Sequence, residues 1–164
     1  MSTSKATPAA ARPTRFDPVV ALPLAAVCLW WIRDLSFQWS SLVDYRFGWI
    51  VVLLAGFLAW ERWPTRPAED RPIAPLWPVL IALPGVGLIL LGELYKLGVA
   101  RTAAASMSLS IGCALFLTAI LLGACGPRTF RHFLFPIAFF FVAVPMPKLL
   151  WNPVVFGQIG RAHV

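Results

Sequence analysis

Charged side chains are scarce in this sequence. Only 13% of its 164 residues are Asp, Glu, Lys or Arg, whereas 59% are hydrophobic. A soluble domain typically carries charged side chains at about 25% of its positions, and a chain this short has a large surface to cover with them. The composition therefore excludes an ordinary soluble domain and indicates a membrane protein.

Cysteines are also few. The sequence has three, Cys28, Cys113 and Cys125, with no Cys-x-x-Cys spacing. An odd number without that spacing argues against a disulfide framework and against a zinc site, and we predict no metal or other cofactor. A reactive cysteine needs access to water and a neighbouring positive group, and only Cys125, close to Arg128, is a candidate. We interpret all three cysteines as structural, with a nucleophilic Cys125 as the alternative.

Acidic residues are outnumbered by basic ones. The 14 Lys and Arg exceed the 7 Asp and Glu, an excess that in a soluble protein would suggest nucleic acid. The basic residues stand singly or in pairs between apolar segments, however, and form no basic stripe. This arrangement is typical of residues that anchor helix ends at a membrane surface. We predict contact with the lipid bilayer and no binding of nucleic acid.

Five charge-free segments contain most of the apolar residues. They are 18–32, 47–60, 73–92, 102–127 and 132–147. A helix needs about 20 apolar residues to cross the hydrocarbon core. The third and fourth segments have this length, and the others need help from flanking residues such as Trp and Arg. The sequence therefore predicts an all-α fold, a polytopic transmembrane helix bundle with about five spans.

The orientation follows from the loops. Lys and Arg are more numerous in the segments that share a side with the N-terminus than in the others, so the positive-inside rule predicts a cytoplasmic N-terminus. The first apolar segment ends in Leu-Trp-Trp-Ile at Ile32 and has no small-residue cleavage site, which favours an uncleaved helix. We predict a disordered cytoplasmic leader over residues 1–17 and a transmembrane domain over residues 18–158.

Small residues recur at helical spacing in the fourth segment. Ser106, Ser110 and Ala114 lie four positions apart, and such a face lets two helices approach closely in lipid. Helix packing is the favoured interpretation, and a groove lined by serine hydroxyls is the alternative. Pro84 and Gly85 in the third segment similarly predict either helix packing or a kink that opens a cavity.

Ionisable residues are absent from all five segments. Ion-coupled transporters normally need one within the membrane, so the sequence disfavours that class. Glu93 and Lys96 follow the third segment at helical spacing. We interpret them as an ion pair at the membrane surface rather than as an acid–base pair. His132, beside Arg131, is interpreted as an anchor at the interface.

Two segments that this topology places toward the outer face of the membrane have an irregular sequence. Residues 44–49 (Asp-Tyr-Arg-Phe-Gly-Trp) precede the second span, and Pro136, Pro145 and Pro147 interrupt and end the fifth. Proline breaks a helix, and irregular backbone at membrane depth must be covered by protein or line a water-filled cavity. We predict a shaped cavity at the outer face, with simple helix termination as the alternative for Pro145 and Pro147.

These segments resemble the exosortase/archaeosortase family of multi-pass membrane cysteine transpeptidases, in the family's order over about residues 30–158. The resemblance includes a Trp-rich end of the first helix, a Tyr-x-x-Gly segment, a Phe-Pro motif and a Pro-x-Pro motif. The positions that match the family's motifs are Asp44, Tyr45, Gly48, Pro136, Pro145 and Pro147. The chain departs from the family at Arg46 and Phe47, which replace a Ser-His pair.

The resemblance implies a bacterial inner-membrane enzyme that recognises C-terminal sorting signals on exported proteins and cleaves them with a cysteine thiolate. The family's Cys-Ser-Gly is missing from this chain, and we expect the catalytic residues downstream of Gln158. The chain is then the N-terminal part of such an enzyme, truncated at its C-terminus and inactive alone. The alternative is a non-enzymatic multi-pass inner-membrane subunit, or a partner in polysaccharide export or transport.

The last six residues have a distinctive coding possibility. Residues 159–164 (Ile-Gly-Arg-Ala-His-Val) can be encoded by ATC GGA AGA GCA CAC GTC, which resembles a widely used sequencing-library adapter. We therefore predict that residues 159–164 are a non-native tail, with a genuine short tail as the alternative. Finding these codons within a longer coding sequence in the source genome would contradict the prediction.

Overall fold

A computed structural model describes residues 18–67 and 73–147. These ranges contain α1 (Pro18–Ser41), α2 (Gly48–Arg62), α3 (Leu76–Gly98), α4 (Ala103–Ala124) and α5 (Pro127–Phe140), with 3-10 helices at Val43–Tyr45 and Phe141–Ala143. No strand occurs in them. The predicted leader over residues 1–17, Gln158 and the predicted tail over residues 159–164 lie outside the described residues.

Four stretches are long and apolar enough to cross a membrane. They comprise most of α1, the stretch Val43–Arg62 that includes α2, and the whole of α3 and of α4. The 24 residues of α1 extend over about 36 Å, more than the roughly 30 Å of a hydrocarbon core. The predicted fold class, an all-α polytopic membrane bundle, is confirmed.

The fifth predicted span is shorter than expected. Gly126, at φ 89°, separates α4 from α5 with a left-handed backbone conformation that favours glycine. α5 has 14 residues and is about 21 Å long, which is less than the core thickness. The charge-free segment 132–147 was a poor guide because its last residues, 141–147, form a 3-10 turn and irregular backbone instead of a helix.

Two helices continue through charged residues where the charge-free segments end. α1 extends past Ile32 to Ser41, and α3 extends to Gly98. Asp34 of α1 and Lys96 of α3 form an ion pair and are each only 8% exposed, so neither charge breaks its helix. The candidate spans are longer than the charge-free segments and include ionisable residues near their ends.

α3 and α4 form a tightly packed helical hairpin. A Cβ built on Gly85 would lie 3.0 Å from the carbonyl oxygen of Gly112, and one on Gly92 would lie 3.0 Å from that of Ala105. The Ser108 hydroxyl donates a hydrogen bond to a backbone oxygen of α3 at 3.0 Å. The packing interpretation of Pro84-Gly85 is thus confirmed, with Pro84 inside a continuous α3.

The core lies between α1 and α4, with α5 beside it. Trp31, Leu35 and Trp39 of α1 lie four residues apart and are all buried. Their partners in the core cluster include Leu109 and Cys113 of α4, both fully buried. Because a four-residue spacing keeps side chains on one face of a helix, these residues form the face of α1 that packs inward.

The bundle has two ends, which the side-chain contacts define. The ends of α1 and α3, the starts of α2 and α4, and residues 141–147 lie at one end, which we call the Tyr45 end. The ends of α2 and α4 and the starts of α3 and α5 lie at the opposite end, which we call the His132 end.

Candidate functional site at the Tyr45 end

Trp39 is the centre of the Tyr45 end. Its side chain is fully buried, and its Nε1 donates a hydrogen bond to the carbonyl oxygen of Ala143 at 2.7 Å. The ring also meets Trp49 edge-on, with the centroids 5.3 Å apart and the planes at 70°. An edge-to-face pair of this kind is favourable beyond the area that it buries. Trp39 therefore joins α1 both to the start of α2 and to the segment that follows α5.

Gly48 allows this arrangement. It is the first residue of α2 and is buried directly against the indole of Trp39, so that a Cβ at this position would overlap the ring. The preceding residue, Phe47, does not cap the helix with its side chain. The first turn of α2 therefore approaches α1 as closely as its backbone allows, and a glycine is required there for steric reasons.

Tyr45 contacts the proline-rich segment 144–147, which follows α5. Its hydroxyl accepts a hydrogen bond from the backbone N–H of Met146 at 3.0 Å. Its ring stacks on Phe47, with the centroids 5.9 Å apart and the planes at 30°. Pro145, the residue before Met146, is among the fully buried side chains. The extended backbone after the 3-10 turn is thus held between Tyr45 and the core.

Pro145 and Pro147 follow the helical residues directly. α5 ends at Phe140 and the 3-10 helix ends at Ala143, and Val144 is extended at φ −82° and ψ 124°, as is usual for the residue before a proline. Ala143 and Val144 are buried. The irregular backbone is therefore covered by protein, as the prediction for irregular backbone at membrane depth requires.

A second set of polar contacts lies deeper, between α1 and α4. Trp31 Nε1 donates to the Ser110 hydroxyl at 2.8 Å. The Gln38 side-chain amide donates to the Ser106 hydroxyl at 3.3 Å and to the carbonyl oxygen of Arg101 at 3.2 Å. Because Trp31, Gln38, Ser106 and Ser110 are all buried, the serine face is a packing surface whose hydroxyls are hydrogen-bond partners of α1. The alternative of a serine-lined groove is wrong.

An ion network joins α1 to α3 at the same end. Lys96 Nζ lies 2.5 Å from Asp34 Oδ1 and 3.0 Å from Glu93 Oε1. The predicted pair of Glu93 and Lys96 is confirmed, and Asp34 is an additional partner. The second carboxylate oxygen of Asp34 is buried and has no hydrogen-bond partner in the described part of the chain. A buried carboxylate is tolerated within α1 because a paired opposite charge compensates it.

The cysteines are all away from the Tyr45 end. Cys113 is fully buried in the core. Cys28 is half-buried beside an apolar groove that also involves Leu121 and Phe133. Cys125 caps the C-terminus of α4, at the His132 end. The structural interpretation of all three therefore agrees with their positions, and none is placed to act at the Tyr45 end.

The opposite end has its own polar contacts. Arg62 Nη1 donates to the carbonyl oxygen of His132 at 2.7 Å, and His132 Nε2 lies 2.8 Å from the carbonyl oxygen of Arg62. The guanidinium of Arg62 also lies over the Phe135 ring, 5.1 Å from its centroid. His132, predicted as an interfacial anchor, joins the end of α2 to the start of α5. Among residues 18–67 and 73–147 no cluster of His, Cys, Asp and Glu could hold a metal ion.

The six positions that match the family motifs fall into two groups. Tyr45, Gly48 and Pro145 meet at the Tyr45 end through the contacts given above, with Pro147 two residues further along and half-buried. Asp44 is exposed in the 3-10 helix Val43–Tyr45, next to Tyr45.

Pro136 is separate from the other positions. It lies inside α5 and lines the apolar groove, a cavity of about 330 Å³ that also involves Leu24 of α1 and Gly56 of α2. The structure therefore brings together the tyrosine, the glycine and the Pro-x-Pro motif, but not the Phe-Pro motif.

The residues that the sequence interpretation missed are those of α1. Trp31 lies near the end of the first charge-free segment, yet it is buried in the core, and α1 continues beyond it. Trp39, Gln38 and Asp34 were not considered, because they follow the last residue of the first charge-free segment. The four-residue spacing of Trp31, Leu35 and Trp39 is the signal that could have identified them.

Chemically, the Tyr45 end is a preorganised frame that contains none of the chain's three cysteines. The Trp39 indole and the Tyr45 hydroxyl are hydrogen-bonded to Ala143 and Met146, which holds the segment that follows α5 in place. A frame of this kind can position a peptide or a catalytic group from elsewhere, since preorganised groups lose little freedom on binding.

A comparison with known protein families identifies the family of this chain. The family model described as transmembrane exosortase (Exosortase_EpsH) matches residues 39–159, a range that begins at Trp39 and includes α2 to α5. No curated protein and no solved structure matches the chain. Because the family model covers well over half of the sequence, the chain belongs to the transmembrane exosortase family.

Proposed function

We propose that this member of the transmembrane exosortase family is the N-terminal, membrane-embedded part of a bacterial inner-membrane enzyme that cleaves C-terminal sorting signals of exported proteins. The observation that supports it is a pair of hydrogen bonds, from Trp39 to Ala143 and from Met146 to Tyr45, beside the close packing of Gly48 on the Trp39 indole. Two segments that are distant in sequence, residues 39–48 and 143–146, meet there inside the range that matches the family.

The proposed orientation places the Tyr45 end on the outer face, where an exported substrate would present its sorting signal. More Lys and Arg residues lie in the leader and in the loops on the opposite side than in the loops at the Tyr45 end. The positive-inside rule therefore favours this orientation. The proteins recognised would be exported proteins that carry a sorting signal at their C-terminus.

The reaction requires groups that this chain does not bring to the Tyr45 end. A thiolate would attack the carbonyl carbon of the scissile peptide, the C–N bond would break, and the amine would leave with a proton. An amine acceptor or water would then release the acyl group from the thioester. This chemistry needs an activated cysteine and a positive group that stabilises the oxyanion. We propose that both are encoded downstream of Gln158 and that the 164-residue chain alone is inactive.

The test begins with the gene that encodes this chain. We expect its reading frame to continue past Gln158 and to encode Cys-Ser-Gly followed by an arginine at a helix end. The intact protein, expressed with an exported reporter that carries a sorting signal, should shorten the reporter, and replacing the new cysteine by serine should abolish this cleavage.

Two results would contradict the proposal. One is cleavage of the reporter by the 164-residue chain that is lost in a Cys28→Ala, Cys113→Ala, Cys125→Ala triple variant, which would place the nucleophile within these helices. The other is an intact protein that contains the cysteine and reaches the membrane but leaves every sorting-signal reporter uncleaved.

A second candidate function is a non-enzymatic inner-membrane subunit, such as a partner in polysaccharide export or transport. It is favoured by the position of the cysteines, since none lies at the Tyr45 end. A reading frame without Cys-Ser-Gly after Gln158 would support it. Co-purification of the chain with an export complex, with no change in reporter length, would support it further.

A further inference from the structure

A polar cleft lies between α1 and α3 at the Tyr45 end. Its volume is about 430 Å³, and its lining includes Arg33, Asp34, Phe37, Glu93, Lys96 and Arg101. α1 packs mainly against α4 rather than α3, and the ion pair of Lys96 with Asp34 links α1 to α3 across the floor of the cleft. The cleft is therefore a gap between two membrane helices with charged walls.

The positive charges in this cleft are not equivalent. Lys96 is compensated, because Asp34 and Glu93 both contact its ammonium group. Arg33 is exposed, and its guanidinium has no hydrogen-bond or ion-pair partner among the described residues. The Arg101 guanidinium lies over the face of Phe37, 4.9 Å from the ring centroid, and a stacked guanidinium leaves its N–H groups free at the edge. Two guanidinium groups are thus available to an anion.

The depth of the cleft in the membrane follows from the helix ends. Lys96 is close to Gly98, the last residue of α3, and Arg101 precedes the start of α4 at Ala103. Arg33 is adjacent in sequence to Asp34, which contacts Lys96. Lys96 and Arg101 therefore lie within about one helical turn of the loop that joins α3 to α4, which is the level of the lipid headgroups, and the ion pair of Asp34 with Lys96 brings the neighbouring Arg33 close to that level.

We propose that this cleft binds the phosphate group of a phospholipid headgroup, with Arg33 and Arg101 as its ligands. Guanidinium groups match phosphate oxygens in a bidentate geometry, and basic pockets between membrane helices bind lipid headgroups. The Glu93 carboxylate would repel the phosphate, but its charge is compensated by the Lys96 ammonium, which lies 3.0 Å from Glu93 Oε1. The bound headgroup would fill the gap between α1 and α3, a role independent of the proposed cleavage of sorting signals.

The experiment uses the full 164-residue chain in a neutral detergent and measures its thermal unfolding midpoint during titration with lipid. Phosphatidylglycerol and phosphatidylethanolamine share the phosphodiester and should both raise the midpoint in a saturable manner. Diacylglycerol, which lacks the phosphate, should not. In an Arg33→Gln, Arg101→Gln double variant the lipid affinity should fall by about tenfold or more, because both charged ligands are lost.

The matched control is Arg46→Gln. Arg46 is exposed at the same end of the bundle, outside the cleft, and its guanidinium has no hydrogen-bond or ion-pair partner within the part that the structure describes. Its loss should leave the affinity unchanged. If the double variant does not fold, Arg33→Gln alone serves as the test, since that side chain is exposed and has no partner within the described residues whose loss would affect folding.

Three outcomes would overturn the proposal. Equal lipid affinity in the double variant and the parent would show that the two arginines are not the ligands. Saturable stabilisation by inorganic phosphate alone, without any further effect of the lipid, would identify a site for free phosphate. Stabilisation by an acidic peptide but not by phosphatidylglycerol would identify a peptide site instead.

Discussion

The α3–α4 hairpin and the Tyr45 end are built by different means. In the hairpin, Gly85 and Gly112 let the two backbones approach until a single added Cβ would lie 3.0 Å or less from a carbonyl oxygen. At the Tyr45 end, long side chains bridge elements that are further apart, with Trp39 reaching Ala143 and Tyr45 reaching Met146.

The difference shows that two regions of one membrane protein can be held together by different kinds of contact. Lipid tails are as apolar as leucine, so helices in a bilayer associate through close packing and hydrogen bonds rather than through the hydrophobic effect. The hairpin depends on glycines, which have no side chain, whereas the Tyr45 end depends on the polar side chains of Trp39 and Tyr45. Enlarging a residue should therefore damage the first most, whereas removing a polar group should damage the second locally.

Gly112→Leu should have the largest effect. A Cβ at this position would lie 2.6 Å from the carbonyl oxygen of Gly85 and 2.9 Å from the backbone nitrogen of Ile89, and backbone atoms cannot move aside as a side-chain tip can. We expect destabilisation at or above the roughly 3 kcal/mol upper end of typical overpacking costs. The measurement is the thermal unfolding midpoint in detergent, together with the yield of folded protein.

The control for this variant is Gly87→Leu on α3. A Cβ at Gly87 would have no atom within 4 Å, so the leucine should point into lipid at little cost. If both substitutions reduced stability equally, a general effect of the larger side chain would explain the result, and the close packing of α3 on α4 would not.

Gly48→Ala should have an intermediate effect that connects the two regions. The added Cβ overlaps the Trp39 indole, which must shift and lengthen its hydrogen bond to Ala143. We expect a loss of about 1–3 kcal/mol and a change in the near-ultraviolet circular dichroism of the tryptophans. Gly56→Ala on the same helix, where a Cβ would meet nothing within 4 Å, should leave both unchanged.

Tyr45→Phe should have the smallest effect on stability and the most local one. It removes the hydroxyl that accepts from Met146 N–H, at a cost of about 0.5–1.5 kcal/mol for one hydrogen bond. Amide hydrogen exchange should become faster at Met146 and stay unchanged within α3 and α4.

Tyr95→Phe is the matched control for this variant, because Tyr95 is the second of the two tyrosines in the sequence and is exposed on α3. Faster exchange throughout the bundle in the Tyr45 variant would mean that the Tyr45 end is not a separate local frame.

The sequence predicted the helices well where composition alone decides them. The charge-free segments 73–92 and 102–127 became α3 and α4, because about 20 apolar residues can be buried in a bilayer only as a helix. The prediction failed where a charge was taken as the end of a helix, at Arg33 and at Glu93. A charged side chain ends a span only if no partner compensates it, and a partner on another helix cannot be found from local sequence.

The site was predicted in part. The resemblance identified Tyr45, Gly48 and Pro145, which the structure brings together, but it also included Pro136, which lies elsewhere in α5. It omitted Trp39, which contacts Gly48 and is hydrogen-bonded to Ala143, two residues before Pro145. Similar long-range contacts at the His132 end, between Arg62 and His132, follow from the way α2 meets α5 and have no signature in either segment alone.

By itself, the sequence determined that this protein is an all-α membrane protein, because its few charges and long apolar segments leave no other way to satisfy the backbone hydrogen bonds in lipid. It also determined the family, through motifs whose order is visible along the chain. Only the tertiary structure decided which residues meet. Trp39, Gly48 and Ala143 become neighbours because glycine permits close approach and an indole N–H needs an acceptor, and these are properties of packed helices rather than of any one segment.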